Sequence, residues 1–334
     1  MQYAIWVTNA CNLRCRYCYE KEKRNVFMDR RTAEQIFLYI KKRSEVLYDN
    51  DIQINIHGGE PLLNYDILQY LVQTFRAWKK DVYINMTTNA TLFDEKKLKF
   101  VVENLDEISI SLDGLPMVHD KNRITIDGRG TFKVVSEYID ELLKSTVKII
   151  ARMTVTHETV SDLYNGVVYL YNKGFNVISP IIDQGDDHWN EETMDKLKRQ
   201  LIKLSDEFCN KQNIQIGLLE KIKYQKKSKC LPGDITMHID TDGVIYPCAY
   251  TVGDSKFQMG NVTIGIDNNR LQKIRDINQY EFESCVLCNW KEFCCGYRCK
   301  LINYKIYGTF EPQYTECKLE HILLEVNKYR KRLM

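Results

Sequence analysis

Between residues 3 and 180 the chain alternates strand-like and helix-like segments, and this repeat constrains its fold more than any other feature. Strands are expected over 3–8, 52–57, 82–87, 107–112, 147–155 and 176–180. Helices are expected over 31–47, 65–78, 95–102, 132–143 and 160–172, from apolar residues recurring at helical spacing. Repeated strand–helix units build a parallel sheet with helices outside it, because each crossover must return to the same edge. Six strands fall short of the eight that close a barrel. The expected fold is therefore α/β, a partial (β/α)6 TIM barrel over residues 1–185. The segment Gln184-Gly-Asp-Asp-His188 breaks the repeat. Helices over 190–209 and 218–227 then form a helical linker, residues 186–229. A small cysteine-rich α+β region occupies 230–334, with short strands at 237–240 and 244–246 around a Thr-Asp-Gly turn and a closing helix over 316–331.

Cysteine usage is the second constraint. Of twelve cysteines, three lie in the first 18 residues and eight lie from Cys230 onward. The N-terminus lacks a basic start and a long apolar core, so no secretion signal is read, and no stretch reaches the roughly 18 apolar residues of a membrane span. The expected location is cytoplasmic, where disulfides are disfavoured and metal or redox chemistry explains the thiols better. A net charge of +2 argues against a dedicated nucleic-acid binder. The basic run Lys328, Arg330, Lys331 and Arg332 reads as a solvated helix end.

Cys11, Cys15 and Cys18 place three thiolates on one loop after the first strand, where barrel folds put their chemistry. Iron–sulfur clusters and structural zinc usually take four protein ligands, so three leave one position open. A zinc ion completed by a distant His or Cys is the alternative. The second strand ends in Gly58-Gly59-Glu60-Pro61, whose glycines permit close backbone approach. Together these residues resemble the radical S-adenosylmethionine (SAM) superfamily, with Tyr17 as the aromatic before the last cysteine. The resemblance implies a [4Fe–4S] cluster on the three cysteines and SAM on its open iron. It also implies that Gly58, Gly59, Glu60 and Pro61 lie at the methionine amino group, that Asn89, Ser111 and Asp113 make polar contacts, and that Arg123 holds the carboxylate. The implied chemistry is reductive cleavage of SAM to a 5′-deoxyadenosyl radical, which removes a hydrogen atom from carbon.

The later cysteines resemble the SPASM extension of peptide- and protein-modifying radical SAM enzymes. That likeness implies two auxiliary [4Fe–4S] clusters, three in all. Cys230, Cys248 and Cys299 would hold the nearer one, and Cys285, Cys288, Cys294 and Cys317 the outer one. Cys295 competes with Cys294 for its place, and Cys209 reads as a small buried hydrophobe. Two zinc knuckles are the alternative for this region. The nearer cluster has three obvious ligands, so an open iron could take a substrate thiolate. Thioether formation on a ribosomally made peptide is therefore expected, ahead of carbon–carbon crosslinking and of oxidation of a sulfatase cysteine or serine, for which Glu220 is the one upstream carboxylate. A non-catalytic electron carrier is the reading from another class. The implied partners are a precursor peptide or protein, an electron donor such as flavodoxin or ferredoxin, and a separate leader-peptide-binding protein.

Overall fold

The structure, a computed structural model, describes residues 1–20, 23–183, 185–220, 233, 235–291, 293–294 and 300–333, the side chain of Glu220 excepted. Six strands run in parallel: β1 (Gln2–Trp6), β2 (Ile52–His57), β3 (Val82–Thr88), β4 (Glu107–Ser111), β5 (Lys148–Val155) and β6 (Val177–Ile182). They pair in sequence order, as right-handed strand–helix units require. Two short strands lengthen this row beyond the expected six. β7 (Gln215–Ile216) pairs parallel to β6, and β8 (Thr236–Ile239) pairs parallel to β1. From β8 the sheet continues antiparallel through β9 (Val244–Tyr246), β10 (Gly260–Asn261) and β11 (Gly265–Ile266). The hairpin expected around the Thr-Asp-Gly turn thus continues the barrel's own sheet.

Strand polarity explains the hollow centre. A parallel sheet covered on both faces reads as unbroken apolar runs. Here β2 alternates instead: Ile52, Ile54 and Ile56 are buried under the helices, while Gln53, Asn55 and His57 turn the other way. β5 repeats this, with Ile149, Ala151, Met153 and Val155 outward and Arg152 and Thr154 inward. One face therefore makes the core and the other lines a polar interior.

Helices start where caps are available. Asp29 and Asp94 accept from the backbone of Thr32 and Lys97 and open helices Arg30–Val46 and Glu95–Asn104. A capping box between Asn190 and Thr193 opens Glu191–Phe208. The helix expected over 132–143 is two pieces, Phe132–Ser136 and Ile139–Lys144, whose buried Val135, Ile139 and Leu142 keep one apolar face. Helix Asn268–Gln279 was not expected, because it buries only a few residues; its Asp267 cap was the available signal. Of the helix expected over 218–227, Gly217–Glu220 is described.

The closing helix, Tyr314–Leu333, packs along Glu191–Phe208. Lys318 pairs with Glu191 and Lys198 with Glu325, each at 2.6 Å. Exposed pairs like these contribute little. The apolar side chains beneath them, Leu197, Leu201, Ile322 and Val326, belong to a hydrophobic cluster that also contains Tyr3, Ile54 and Met237. Among the described residues no helix is long and apolar enough to cross a membrane.

Candidate active site

The loop carrying Cys11, Cys15 and Cys18 leaves β1 and is pinned from two sides. From β2, Gly59 N donates to Thr8 O at 3.0 Å and Glu60 N to Ala10 O at 2.9 Å. From the segment after β4, the carbonyls of Ile124 and Asn122 accept from Arg14 N and Arg16 N at 2.8 and 3.0 Å. Both glycines are required here. A Cβ on Gly58 would lie 2.4 Å from Thr8 O, and one on Gly59 would lie 2.3 Å from Ala10 O. The close approach visible in this structure is thus to the cysteine loop's own backbone.

Burial pushes the Cys11 thiol up to about 12 and raises that of Cys15. Binding a cluster must therefore displace protons that these sites hold strongly. The geometry also tests the zinc alternative. Four sulfurs around one zinc sit within about 4 Å of each other, given bonds of about 2.3 Å. Among the described residues, the one trio of such ligand atoms within 4.8 Å of one another is His157, Asp186 and His188. The three sulfurs of the loop do not form such a trio. The His157–Asp186–His188 trio is itself explained by loop closure: Asp186 accepts from both histidine amides and from His157 Nδ1.

Glu60 is buried and fully engaged. It accepts from Leu62 N at 3.1 Å, Thr88 Oγ1 at 2.7 Å and Asn89 N at 2.7 Å, tying the turn after β2 to the end of β3. Burial raises its pKa to about 7 against these donors. Pro61 begins a short 3-10 turn and does not line the cavity. Asn89 donates to Asn12 at 3.0 Å and lies 3.9 Å from Cys11 Sγ.

Asp113 plays a different part from the polar contact expected of it. It is 1% exposed, does not line the cavity, and accepts from Tyr17 Oη, Arg123 Nη2 (2.9 Å) and Thr154 N (2.8 Å). It therefore orients Tyr17 and Arg123, and the Arg123 guanidinium sits 5.3 Å from the centre of the Tyr17 ring. Arg123 Nε is buried without a hydrogen-bond partner among the described residues, as a group awaiting an acceptor would be. Arg152, which sequence reasoning missed, faces the same cavity from β5 and carries no ion pair among the described residues. Its inward place in an alternating strand was the signal that could have found it.

In the extension, Cys285 and Cys288 share one turn, with Cys288 N donating to Cys285 O at 3.2 Å. Cys317 lies in the first turn of the closing helix. Burial pushes its thiol up to about 11, and the charge of Cys285 adds to the rise. Cys248 follows β9, and Cys294 is also described. Cys230, Cys295 and Cys299 lie outside the described residues, as does the Glu220 side chain. Cys209 ends the linker helix, half-buried, with its thiol 3.5 Å from Asp206 O.

One cavity of about 1390 Å³ joins these regions. The three cysteines, Asn89, Ser111 and Arg123 line one side; Ala249, Tyr250 and Glu320 line the other. Tyr19 and Tyr250, both on its lining, meet at a tilt of 34° with ring centres 4.8 Å apart.

A family model described as the radical SAM superfamily matches residues 5–165, the stretch that carries the cysteine loop, the Gly-Gly-Glu-Pro turn and the first five strands. Residues 5–165 carry a radical SAM domain. As a radical SAM enzyme it uses SAM and [4Fe–4S] clusters. This radical SAM chain is 27% identical over 322 residues to the cysteine-type anaerobic sulfatase-maturating enzyme of Clostridium perfringens strain 13, covering 86% of each chain. It is 29% identical over 182 residues to the GTP 3′,8-cyclase of Sulfurimonas denitrificans, covering 52% of this chain and 53% of that enzyme. Its fold is similar to that of native anSMEcpe with bound AdoMet and Cp18Cys peptide, with TM-score 0.82, 23% identity, and 100% and 99% of the two chains covered. It is also similar to Streptococcus suis SuiB bound to precursor peptide SuiA, with TM-score 0.69, 15% identity, and 94% and 75% covered. The shared fold is a partial radical SAM barrel followed by a cysteine-rich extension of the SPASM type.

Proposed function

We propose that this radical SAM enzyme modifies a cysteine side chain within a peptide or protein, with oxidation of that cysteine as the reaction. The observation that carries the reading is the single cavity running from the three-cysteine loop to the Cys248 region of the extension. The likeness to a cysteine-type sulfatase-maturating enzyme over 86% of both chains supports it. Cys11, Cys15 and Cys18 would hold the cluster. Arg123, oriented by Asp113, would take the SAM carboxylate bidentately, with Asn89 and Ser111 as polar contacts. Glu60 and Asp113 act one step back, by fixing the loops and side chains that make contact. Cys285, Cys288, Cys294 and Cys317 would hold the outer auxiliary cluster; Cys248 would ligate the nearer one with Cys230 and Cys299. Held by these residues, SAM and the cluster would supply the radical chemistry for removing a hydrogen atom from a substrate carbon. The chain's own task is to hold the target carbon close and keep water out. Glu320, a buried carboxylate on the cavity wall, would accept the substrate's proton, the remaining electron would leave through the auxiliary clusters, and hydrolysis of the resulting thioaldehyde would release sulfide and leave the aldehyde.

Thioether formation is the second reading. It is supported by the sequence vacancy beside Cys230, Cys248 and Cys299, of which Cys248 is described. An electron donor of the flavodoxin or ferredoxin kind and a separate leader-binding protein belong to the same proposal.

The test is anaerobic reconstitution with SAM, a reductant and a panel of cysteine-containing peptides. The expected products are 5′-deoxyadenosine and a peptide aldehyde that a hydrazide reagent traps. Loss of two hydrogens with no aldehyde would favour the thioether reading. Formation of 5′-deoxyadenosine by the combined Cys11→Ala, Cys15→Ala, Cys18→Ala variant would refute the assignment of the loop.

A further inference from the structure

Among the described residues, one charged side chain donates to a sulfur of the three-cysteine loop. Lys23 Nζ lies 3.0 Å from Cys18 Sγ. By contrast, Cys11 receives the backbone amide of Leu13 at 3.4 Å and the Asn89 amide at 3.9 Å. Lys23 is also held from behind. Glu20 Oε2 lies 3.2 Å from its ammonium, and Glu20 Oε1 accepts the indole N–H of the fully buried Trp6 at 3.3 Å. The relay therefore starts at the end of β1 and ends on a cysteine sulfur. Lys23 and Glu20 both line the cavity.

We propose that Lys23 sets the reduction potential of the cluster that Cys18 helps to hold, with Trp6 and Glu20 as its anchor. The proposal rests on the reading of Cys11, Cys15 and Cys18 as cluster ligands. The step concerned is the entry of one electron from the donor, in which no bond forms or breaks. It adds one negative charge to the iron–sulfur core. A cation hydrogen-bonded to a ligand sulfur stabilises the reduced form more than the oxidised form, because hydrogen bonds to sulfur and local charge tune such clusters. Lys23 acts through Cys18 and is a positioning residue for electron entry. Sequence reading passed over it, since the side-chain relay from Trp6 through Glu20 is invisible in one dimension.

The test is a potentiometric titration of the fully reconstituted enzyme, followed by electron paramagnetic resonance. The signal to follow is the one that changes when SAM is added, which separates this cluster from any auxiliary one. Lys23→Met and Lys23→Gln should reduce the ratio of reduced to oxidised cluster at fixed potential by at least about tenfold, a fall in midpoint of about 59 mV for one electron. Lys23→Arg, which keeps charge and donor, should stay close to the parent. Iron content and SAM affinity, measured alongside, should not change. An unchanged midpoint in Lys23→Met at full iron content overturns the inference and leaves the cluster assignment standing. Loss of the cluster in both neutral variants also overturns it, since Lys23 would then serve assembly. Absence of any SAM-responsive signal in the parent overturns the cluster assignment and this inference together.

Discussion

Gly59→Ala puts the relation between backbone contact and chemistry to a direct test. A Cβ at this position lies 2.3 Å from Ala10 O, 2.6 Å from Ala10 C and 2.8 Å from Asn9 O. Carbon–oxygen contacts between backbones settle at about 3.3–3.6 Å, so the two loops must part by roughly 1 Å. All three atoms are backbone, and no side chain can rotate away. Overpacking of this kind costs about 1–3 kcal/mol. The parting stretches the bonds from Gly59 N to Thr8 O and from Glu60 N to Ala10 O, which hold the segment leading into Cys11. A displacement of about 1 Å near reacting atoms can cost about 100-fold in rate. The control is Gly265→Ala. That glycine has φ 87° and nothing within 4 Å of its would-be Cβ, so it pays only the left-handed backbone cost of about 1–2 kcal/mol. Both variants are compared by denaturant unfolding, iron per chain and 5′-deoxyadenosine formed per cluster. The expected result is similar destabilisation of both, with a loss of about 100-fold in SAM cleavage confined to Gly59→Ala. Equal rates in the two variants would refute the reasoning.

Two further outcomes follow from buried carboxylates. Glu60 has its pKa raised from 4.5 to about 7, with burial as the cause; the native state then holds a proton that the unfolded chain has released, so stability falls as pH rises through that window. Glu60→Gln removes this dependence and adds a constant penalty of about 1–3 kcal/mol, because its amide meets a donor that the carboxylate accepted. The stability of the parent relative to Glu60→Gln, measured by denaturant unfolding, should therefore fall by ~3 kcal/mol between about pH 4 and pH 8; a flat difference would show that the three donors cancel the cost of burial. Asp113→Asn strands the Arg123 charge in a buried site and should cost about 3–5 kcal/mol. Adding Arg123→Met should recover part of that loss in a double-mutant cycle, and additive losses would mean that the pair is not coupled.

The sequence by itself determined the parts of this protein that depend on near neighbours. Alternating and helical periodicity placed the six parallel strands and most helices, because burial of one face repeats every two or 3.6 residues. Cys11, Cys15 and Cys18 lie within one loop, so their spacing was legible, as was the Gly58-Gly59 turn. Tertiary structure decided what those residues touch. The two glycines abut Thr8 and Ala10, roughly fifty residues earlier in the chain. Asp113 turned away from the cavity to hold Tyr17 and Arg123, and β8 joined β1 across more than two hundred residues. Arg152 and Lys23 became part of the site only when β5 curved round the interior and the relay from Trp6 fell into place. Residue type and spacing carry a chemical possibility along the chain, whereas partners, burial and charge compensation depend on segments brought together by folding, and one dimension holds no record of those distances.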